Sequence, residues 1–207
     1  IYAGYQLPDD WKLSAHLGAS WMDNDSRRQL QFGGLNRTAI GEYDDFHLST
    51  TLEVAKTLDL GETGYLEPFA SMTGRREHDG SFTESGAGAA NLLRGSDTDY
   101  FANSLLGVRF GGEWESQNGA WNLRPRAQMG WQHRYGSADI DYQAQFQGAP
   151  VAFTSSGTDT ARDTFVGTVG MEFLSLENGM RLYADYGFGL SSKHDEHTFG
   201  AGVSIPW

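Results

Sequence analysis

From Thr198 to Trp207 the chain alternates strictly. Phe199, Ala201, Val203, Ile205 and Trp207 are apolar or aromatic, while Thr198, Gly200, Gly202, Ser204 and Pro206 are small or polar. Successive side chains of a strand point to opposite faces, so this segment has one wholly apolar face and one that water tolerates. Two settings fit such a ribbon. One is an edge strand of a soluble sandwich; the other is a wall strand of a barrel whose outside meets lipid and whose inside meets water.

The rest of the chain repeats the pattern over lengths that favour the barrel. From Trp11 the odd positions read Trp11, Leu13, Ala15, Leu17, Ala19 and Trp21, against Lys12, Ser14, His16, Gly18 and Ser20. Phe46, Leu48, Thr50, Leu52 and Val54, continuing through Lys56 to Leu58 and Leu60, oppose His47, Ser49, Thr51, Glu53, Ala55, Thr57 and Asp59. Trp121, Leu123, Pro125, Ala127, Met129 and Trp131 oppose Asn122, Arg124, Arg126, Gln128 and Gly130. Met180 to Leu190 behaves likewise, with Arg181, Tyr183 and Asp185 on its polar side. Weaker strands fall near 65–75, 104–115 and 164–175, and a short one near 1–6. With the C-terminal ribbon these make about nine, most about ten residues or longer. Soluble strands usually run about five or six residues, whereas a tilted membrane-spanning strand needs about 9–11.

Composition agrees without deciding. No apolar run approaches the length of a helical span, and a mean hydropathy of −0.49 is compatible with strands in which only alternate residues face lipid. The absence of cysteine removes disulfides and thiolate metal sites. A net charge of −12 argues against nucleic acid as a partner, because phosphate binding needs clustered basic surface. The first residues carry no signal peptide pattern, so an export signal is expected upstream or removed.

Connections alternate between short and long. Tight turns rich in turn-forming residues are predicted at 7–10, 61–64, 116–120 and 177–179. Long polar segments are predicted as loops at about 23–45, 76–103 and 136–163, with a shorter one at 191–197. Outer-membrane barrels have short periplasmic turns and long external loops, which would place the C-terminus in the periplasm. Single-chain bacterial barrels normally have an even strand number. Nine strands entered from outside therefore read as part of a larger barrel, or as one closed by something else.

Strand parity assigns the side chains. Glu53, Arg109, Arg124, Arg126, Glu172 and Asp185 are expected to line a water-filled interior, with His16, Arg75, Glu113 and Arg181. Trp11, Trp21, Trp121 and Trp131, spaced ten residues apart in two pairs, are expected in aromatic girdles at the two membrane interfaces, with Tyr65 and Tyr186. Lys56, in an outward row, is expected to snorkel. His194 to His197 and Arg75 to Asp79 are the nearest candidates for an external metal or catalytic site, against a reading of both as solvated loops. Neither has a specific ligand spacing, and no nucleophile elbow, phosphate loop or zinc-protease motif is present. No catalytic residue, metal or cofactor is therefore assigned.

Several segments together resemble the β-domains of autotransporters of type V secretion. They are Ser26 to Ala39 followed by Tyr43-Asp44-Asp45, Leu66 to Phe69, Phe82 to Ala89, Leu106 to Arg109, Leu123 to Arg126 with Gly130 to His133, Leu182 to Tyr186, and the C-terminal ribbon. The resemblance covers essentially the whole chain, 1–207 reading as one barrel domain. It implies an antiparallel up-and-down barrel of twelve strands in the Gram-negative outer membrane, entered here at the fourth, with a pore helix and a secreted passenger upstream. It further implies, as partners, that passenger, the barrel-assembly machinery, periplasmic chaperones and the lipid and lipopolysaccharide of the outer membrane. Phe199, Gly202, Ile205 and Trp207 would then form the assembly signal. The alternative is an independent barrel, either an enzyme or a small porin, with a site on its external rim; it would carry no large exported segment.

Overall fold

A computed structural model describes residues 1–136, 141–157 and 160–206, with Thr63 described by its backbone alone. Nine antiparallel strands follow one another in chain order in one sheet, curled into part of a barrel. They are β1 (Tyr2–Gln6), β2 (Trp11–Phe32), β3 (Leu35–Lys56), β5 (Tyr65–Asp79), β8 (Asp97–Gly111), β10 (Trp121–Tyr135), β13 (Asp163–Ser175), β14 (Arg181–Ser191) and β15 (Asp195–Ser204). Two-residue pieces, β4 (Leu58–Asp59) and β9 (Trp114–Glu115), pair with β5 and β10. Among the described residues β1 and β15 are the two edges of this sheet. The nine-strand reading and the all-β barrel class therefore agree with the structure.

Register settles which side chains share a face. Trp11 lies opposite Lys56, Leu17 opposite Thr50 and Trp21 opposite Phe46, so the apolar rows of β2 and β3 fall together. Met129 is opposite both Val108 and Gly167, and Ala184 opposite both Met171 and Ala201, which extends the apolar face to β15. Leu17, Leu52, Met72, Leu106, Met129, Val169, Leu182 and Phe199 are all exposed on it. A connected apolar surface this large belongs to a molecule whose surroundings are themselves apolar.

The two long strands depart from the predicted loop at 23–45. Both run for 22 residues, about twice what a bilayer requires. Their outward row changes character at the Trp21–Phe46 pair, whose rings lie 5.0 Å apart. Beyond it come Asp23, Asp25, Arg27, Gln29 and Gln31, opposite Asp44, Glu42, Ile40, Thr38 and Asn36. The ladder needs only backbone pairing to continue; outside hydrocarbon neither face has to be apolar, so the alternation vanishes while the strand persists. The hairpin closes at Gly33 and Gly34, with φ of 53° and 84°. Two adjacent left-handed residues make the tight turn whose twist matches the strands.

The segments at 76–103 and 136–163 also carry structure. Strands β6 (Phe82–Thr83), β7 (Leu92–Arg94), β11 (Asp141–Phe146) and β12 (Phe153–Ser156) form a second sheet in the order β12-β11-β7-β6. It joins the long hairpin through a bridge between Ile40 and Ser85. Leu30, Ala39 and Ala87 are buried between the two, with Leu35 and Ala90 packed against them. Glu84, almost wholly buried, receives two hydrogen bonds from the Arg28 guanidinium and one from the Leu92 amide. Arg28 also donates to the Ala90 carbonyl. Burial opposes ionisation of Glu84, but the bonds from Arg28 and Leu92 and the charge of Arg28 outweigh it, holding this carboxyl below the usual carboxylate range.

A depressed folded pKa contributes stability above the unfolded carboxylate pKa and loses it as pH falls through the folded value. The second sheet should therefore loosen below about pH 4, seen as faster hydrogen exchange at Leu30, Ala39 and Leu92. Arg28→Ala should open it at neutral pH, at a local cost of about 2 kcal/mol, less than for a fully buried pair because Arg28 keeps some water. On the apolar face, Leu17→Arg should cost about 2–4 kcal/mol in lipid vesicles if Leu17 sits near the bilayer midplane. Equal unfolding midpoints for that variant and the parent would contradict the facing.

Candidate functional site

The face opposite the apolar one carries the charges, because the pleat leaves it the other half of every strand. Glu53, Glu67 and Arg109 come from three successive strands: Glu53 is opposite Ser71 on β5, and Glu67 is opposite Arg109 on β8. The Arg109 guanidinium forms two bonds to Glu53, at 2.8 Å to Oε1 and 2.6 Å to Oε2. It donates at 3.0 Å to Glu67 Oε1 and, through Nε, at 2.9 Å to Gln128 Oε1. The Phe69 ring lies 3.8 Å from its central carbon, where a planar cation can rest on the aromatic face. The second Glu67 oxygen receives Lys12 Nζ at 2.6 Å and the Thr57 hydroxyl at 3.0 Å.

Two more clusters continue this wall. Arg126 grips Asp185 with both Nε and Nη2, at 2.7–3.0 Å, reaching across β13 at the point where Gly170 has no side chain to block it. Arg124 bonds Glu172 at 3.2 Å and Glu113 at 2.9 Å, and Asn122 also donates to Glu113. All six residues expected to line the interior thus lie on one face, paired in three groups. Lys12, Glu67 and Gln128 join them although sequence reasoning did not single them out. The alternation of Leu66, Pro68, Ala70 and Met72 was the available signal for Glu67.

Elsewhere on this face the walls are nearly bare. Ser14, Gly18 and Ser20 on β2, Gly187 and Gly189 on β14, and Gly200 and Gly202 on β15 present little more than backbone. Three glycines of this face are covered by aromatic rings from a neighbouring strand, Gly107 among them by the Phe69 ring at 2.7–2.8 Å from where a methyl would sit. A methyl group at Gly111 would meet the Tyr65 ring at 2.5–2.6 Å, and one at Gly202 the Tyr183 ring at 2.4–2.6 Å. Tyr65 therefore belongs to the charged face rather than to the outer girdle. His16 also lies here, stacked on Tyr2 at 6.2 Å, and Arg75 pairs with Glu77.

The other expectations distribute as follows. Trp11 and Trp121 stand at the short-turn end of the apolar face, Trp21 and Trp131 at the long-connection end. Trp11 receives Lys56 Nζ over its ring at 5.4 Å, so the cationic tip rests on an aromatic edge of the band. Phe199 and Ile205 are exposed on the apolar row and Gly202 faces the opposite way; Trp207 lies outside the described residues. The two metal-site candidates are divided by the pleat. Glu196 and His197 face opposite sides, the latter bonded to the Tyr186 hydroxyl, and His78 points away from Glu77 and Asp79.

Among the described residues, the charges of this wall are paired with one another. If Arg109 organises it, Glu53→Arg leaves two guanidinium groups facing each other beside Lys12. That variant should change single-channel conductance while the strands still assemble. The exchange Glu53→Arg with Arg109→Glu should recover about 1–2 kcal/mol of coupling in a double-mutant cycle; additivity of the single changes would show the pair to be inert.

Comparison with known proteins now gives the fold its family. A family profile described as the autotransporter beta-domain matches residues 1–187. An extracellular serine protease of Serratia marcescens is 29% identical over 195 residues, 89% of this chain and 17% of that protein. A second protein of the same description and organism is 31% identical over 140 residues, 67% of this chain and 13% of that protein. The chain thus spans about a sixth or less of the length of these relatives. With its antiparallel nine-strand sheet, lipid-compatible exterior and polar interior, the chain belongs to the autotransporter β-domain family of bacterial outer-membrane proteins.

Proposed function

We propose that these residues form most of the wall of a single translocator barrel, through which an N-terminal passenger of the same polypeptide reaches the cell surface. The observation that carries this reading is the family match across nine-tenths of the chain. The paired charges and bare glycine surfaces of the interior face support it: such a lining admits a hydrated polypeptide. The long hairpin and the second sheet lie outside the cell, the tight turns and the C-terminus in the periplasm, as short and long connections sort in outer-membrane barrels. Unpaired edges cost several kcal/mol per backbone group in hydrocarbon, so β1 and β15 are closed by further strands of the same polypeptide. Phe199, Gly202, Ile205 and Trp207 serve as the assembly signal read by the barrel-insertion machinery after chaperoned passage through the periplasm. Export uses no bound cofactor, and any protease activity like that named for the relatives sits outside these 207 residues.

The polypeptide containing this chain, extracted from outer membranes before and after protease treatment of intact cells, tests the reading. A large protein trimmed to a membrane-protected fragment that retains Ile1 to Trp207 is the expected result. A polypeptide with no exported segment beyond the barrel would instead favour an independent porin or barrel enzyme.

A further inference from the structure

We propose that the second sheet is a lid on the outer mouth of the barrel, latched by Arg28 and Arg94 against rim carboxylates that repel one another; this rests on the orientation proposed above. The pairing of β2 with β3 runs without a break from Trp11–Lys56 to Phe32–Leu35, so the inward and outward rows continue unchanged above the band. The wall side chains that meet the second sheet are Arg28 and Leu30 of β2, Ala39 and Tyr43 of β3, and Asp79 of β5. All five belong to the inward row, the row of Lys12, Glu53 and Glu67. The layer therefore stands on the axis side of the wall, where the interior opens, and not around the outside of the barrel. Arg28 holds it on the β2 side, through Glu84 and the Ala90 carbonyl, and Arg94 holds it on the β5 side, through Asp79.

The rungs beneath the β5 latch oppose like charges. On the inward row Asp79 stands directly opposite Asp45 of β3 and Asp97 of β8, and two residues nearer the band Glu77 stands opposite Asp99. Directly opposed like charges work against strand pairing. Arg75 meets Glu77 from the same strand, and Asp45 is met by the Asn24 amide and the Gly80 backbone N–H. The guanidinium bonded to Asp79, at the centre of the row, is that of Arg94. Arg94 belongs to the second sheet, in register with Phe82 and Ala144, and its central carbon lies 4.8 Å from the centre of the Tyr142 ring. The cation that quiets the rim is thus carried by the lid and not by the wall. Seating the sheet neutralises the Asp45–Asp79–Asp97 row and favours full pairing of β3, β5 and β8. Lifting it removes that charge, so the rim repels itself as the lid rises. Closed and open arrangements each reinforce themselves, as a two-state element requires.

The chain has no cysteine, so a single reporter cysteine can read access through the mouth. The full-length polypeptide, in the outer membrane of intact cells, is treated with a membrane-impermeant maleimide, and modification of the reporter peptide is followed by mass spectrometry. One reporter is Ser49→Cys, on the inward row beneath the layer; the other is Gln31→Cys, near the tip of the long hairpin. Fast labelling of Gln31→Cys and slow labelling of Ser49→Cys are expected. Arg94→Gln and Arg28→Gln should each speed labelling of Ser49→Cys about tenfold, the population shift expected from losing one charged hydrogen-bonded pair. Adding Asp79→Asn and Asp97→Asn to Arg94→Gln should slow it again, because the repulsion is gone; a merely structural contact would show no such rescue. Heat-modifiable migration confirms folding, and either glutamine variant suffices if the other does not insert. Equal rates at Ser49→Cys for the parent and both latch variants overturn the lid, and failure of the asparagine pair to restore slow labelling overturns the repulsion that opens it. Labelling of Gln31→Cys only after lysis removes the orientation, and the lid with it.

Discussion

Hydrocarbon offers no hydrogen-bond partner to a peptide group, and the rest of the structure follows from that. Every backbone donor and acceptor in the band between the Trp11 and Trp21 levels must be paired by a neighbouring strand, which forces long ladders in unbroken order. Once the ladder exists, the pleat sorts side chains into two populations with opposite requirements. Leu17, Leu52, Met129 and Val169 face outward because their alternate neighbours cannot, and Glu53, Arg109 and Arg126 gather inward for the same reason. A protein assembled this way has little conventional core. Among the described residues few apolar side chains are buried, and those that are fall on the charged face, as Phe69 and Ala55 do, or in the layer beyond the Trp21–Phe46 pair, as Leu30 and Ala39 do.

The height of the band follows from the same geometry. Ten residues separate Trp11 from Trp21 and Trp121 from Trp131. At about 3.3 Å per residue and a tilt near 40°, that distance projects to about 25 Å, the thickness of the apolar girdle of such barrels. The aromatic pairs Trp21–Phe46 and Trp121–Phe173 mark its two limits. Above the first of these, the molecule returns to ordinary rules for proteins in water, with a half-buried ion pair and a small apolar cluster tying the long hairpin to the second sheet.

What could be read from the residues follows this division. Within the band, alternation is enforced by the surroundings, so the strands, their facing and the inward charges of β3, β10 and β14 were legible from Trp11, Phe46, Trp121 and Met180 onward. Above the band, nothing enforces it. The 23–45 segment looks like a loop because polar residues occupy both faces, although its ladder continues to Phe32 and its turn is announced by Gly33-Gly34. Glu67 escaped notice for another reason: Pro68 beside it weakens the appearance of a strand, yet Pro68 sits on the outward row and Glu67 shares the inward face with Arg109. The second sheet joins segments more than forty residues apart, such as Arg94 with Ala144, and no local pattern encodes such a pairing.

The pairing of charges inside the wall has a consequence for what can travel past it. Arg109 and Lys12 are balanced by Glu53 and Glu67, and Arg126 by Asp185. Each positive group has its counterion within a few ångströms, so fields cancel over short distances and little net potential extends toward the axis. The Arg124 cluster departs from this balance: one guanidinium faces both Glu113 and Glu172, so a carboxylate charge is left over there and a negative field extends from that level of the wall.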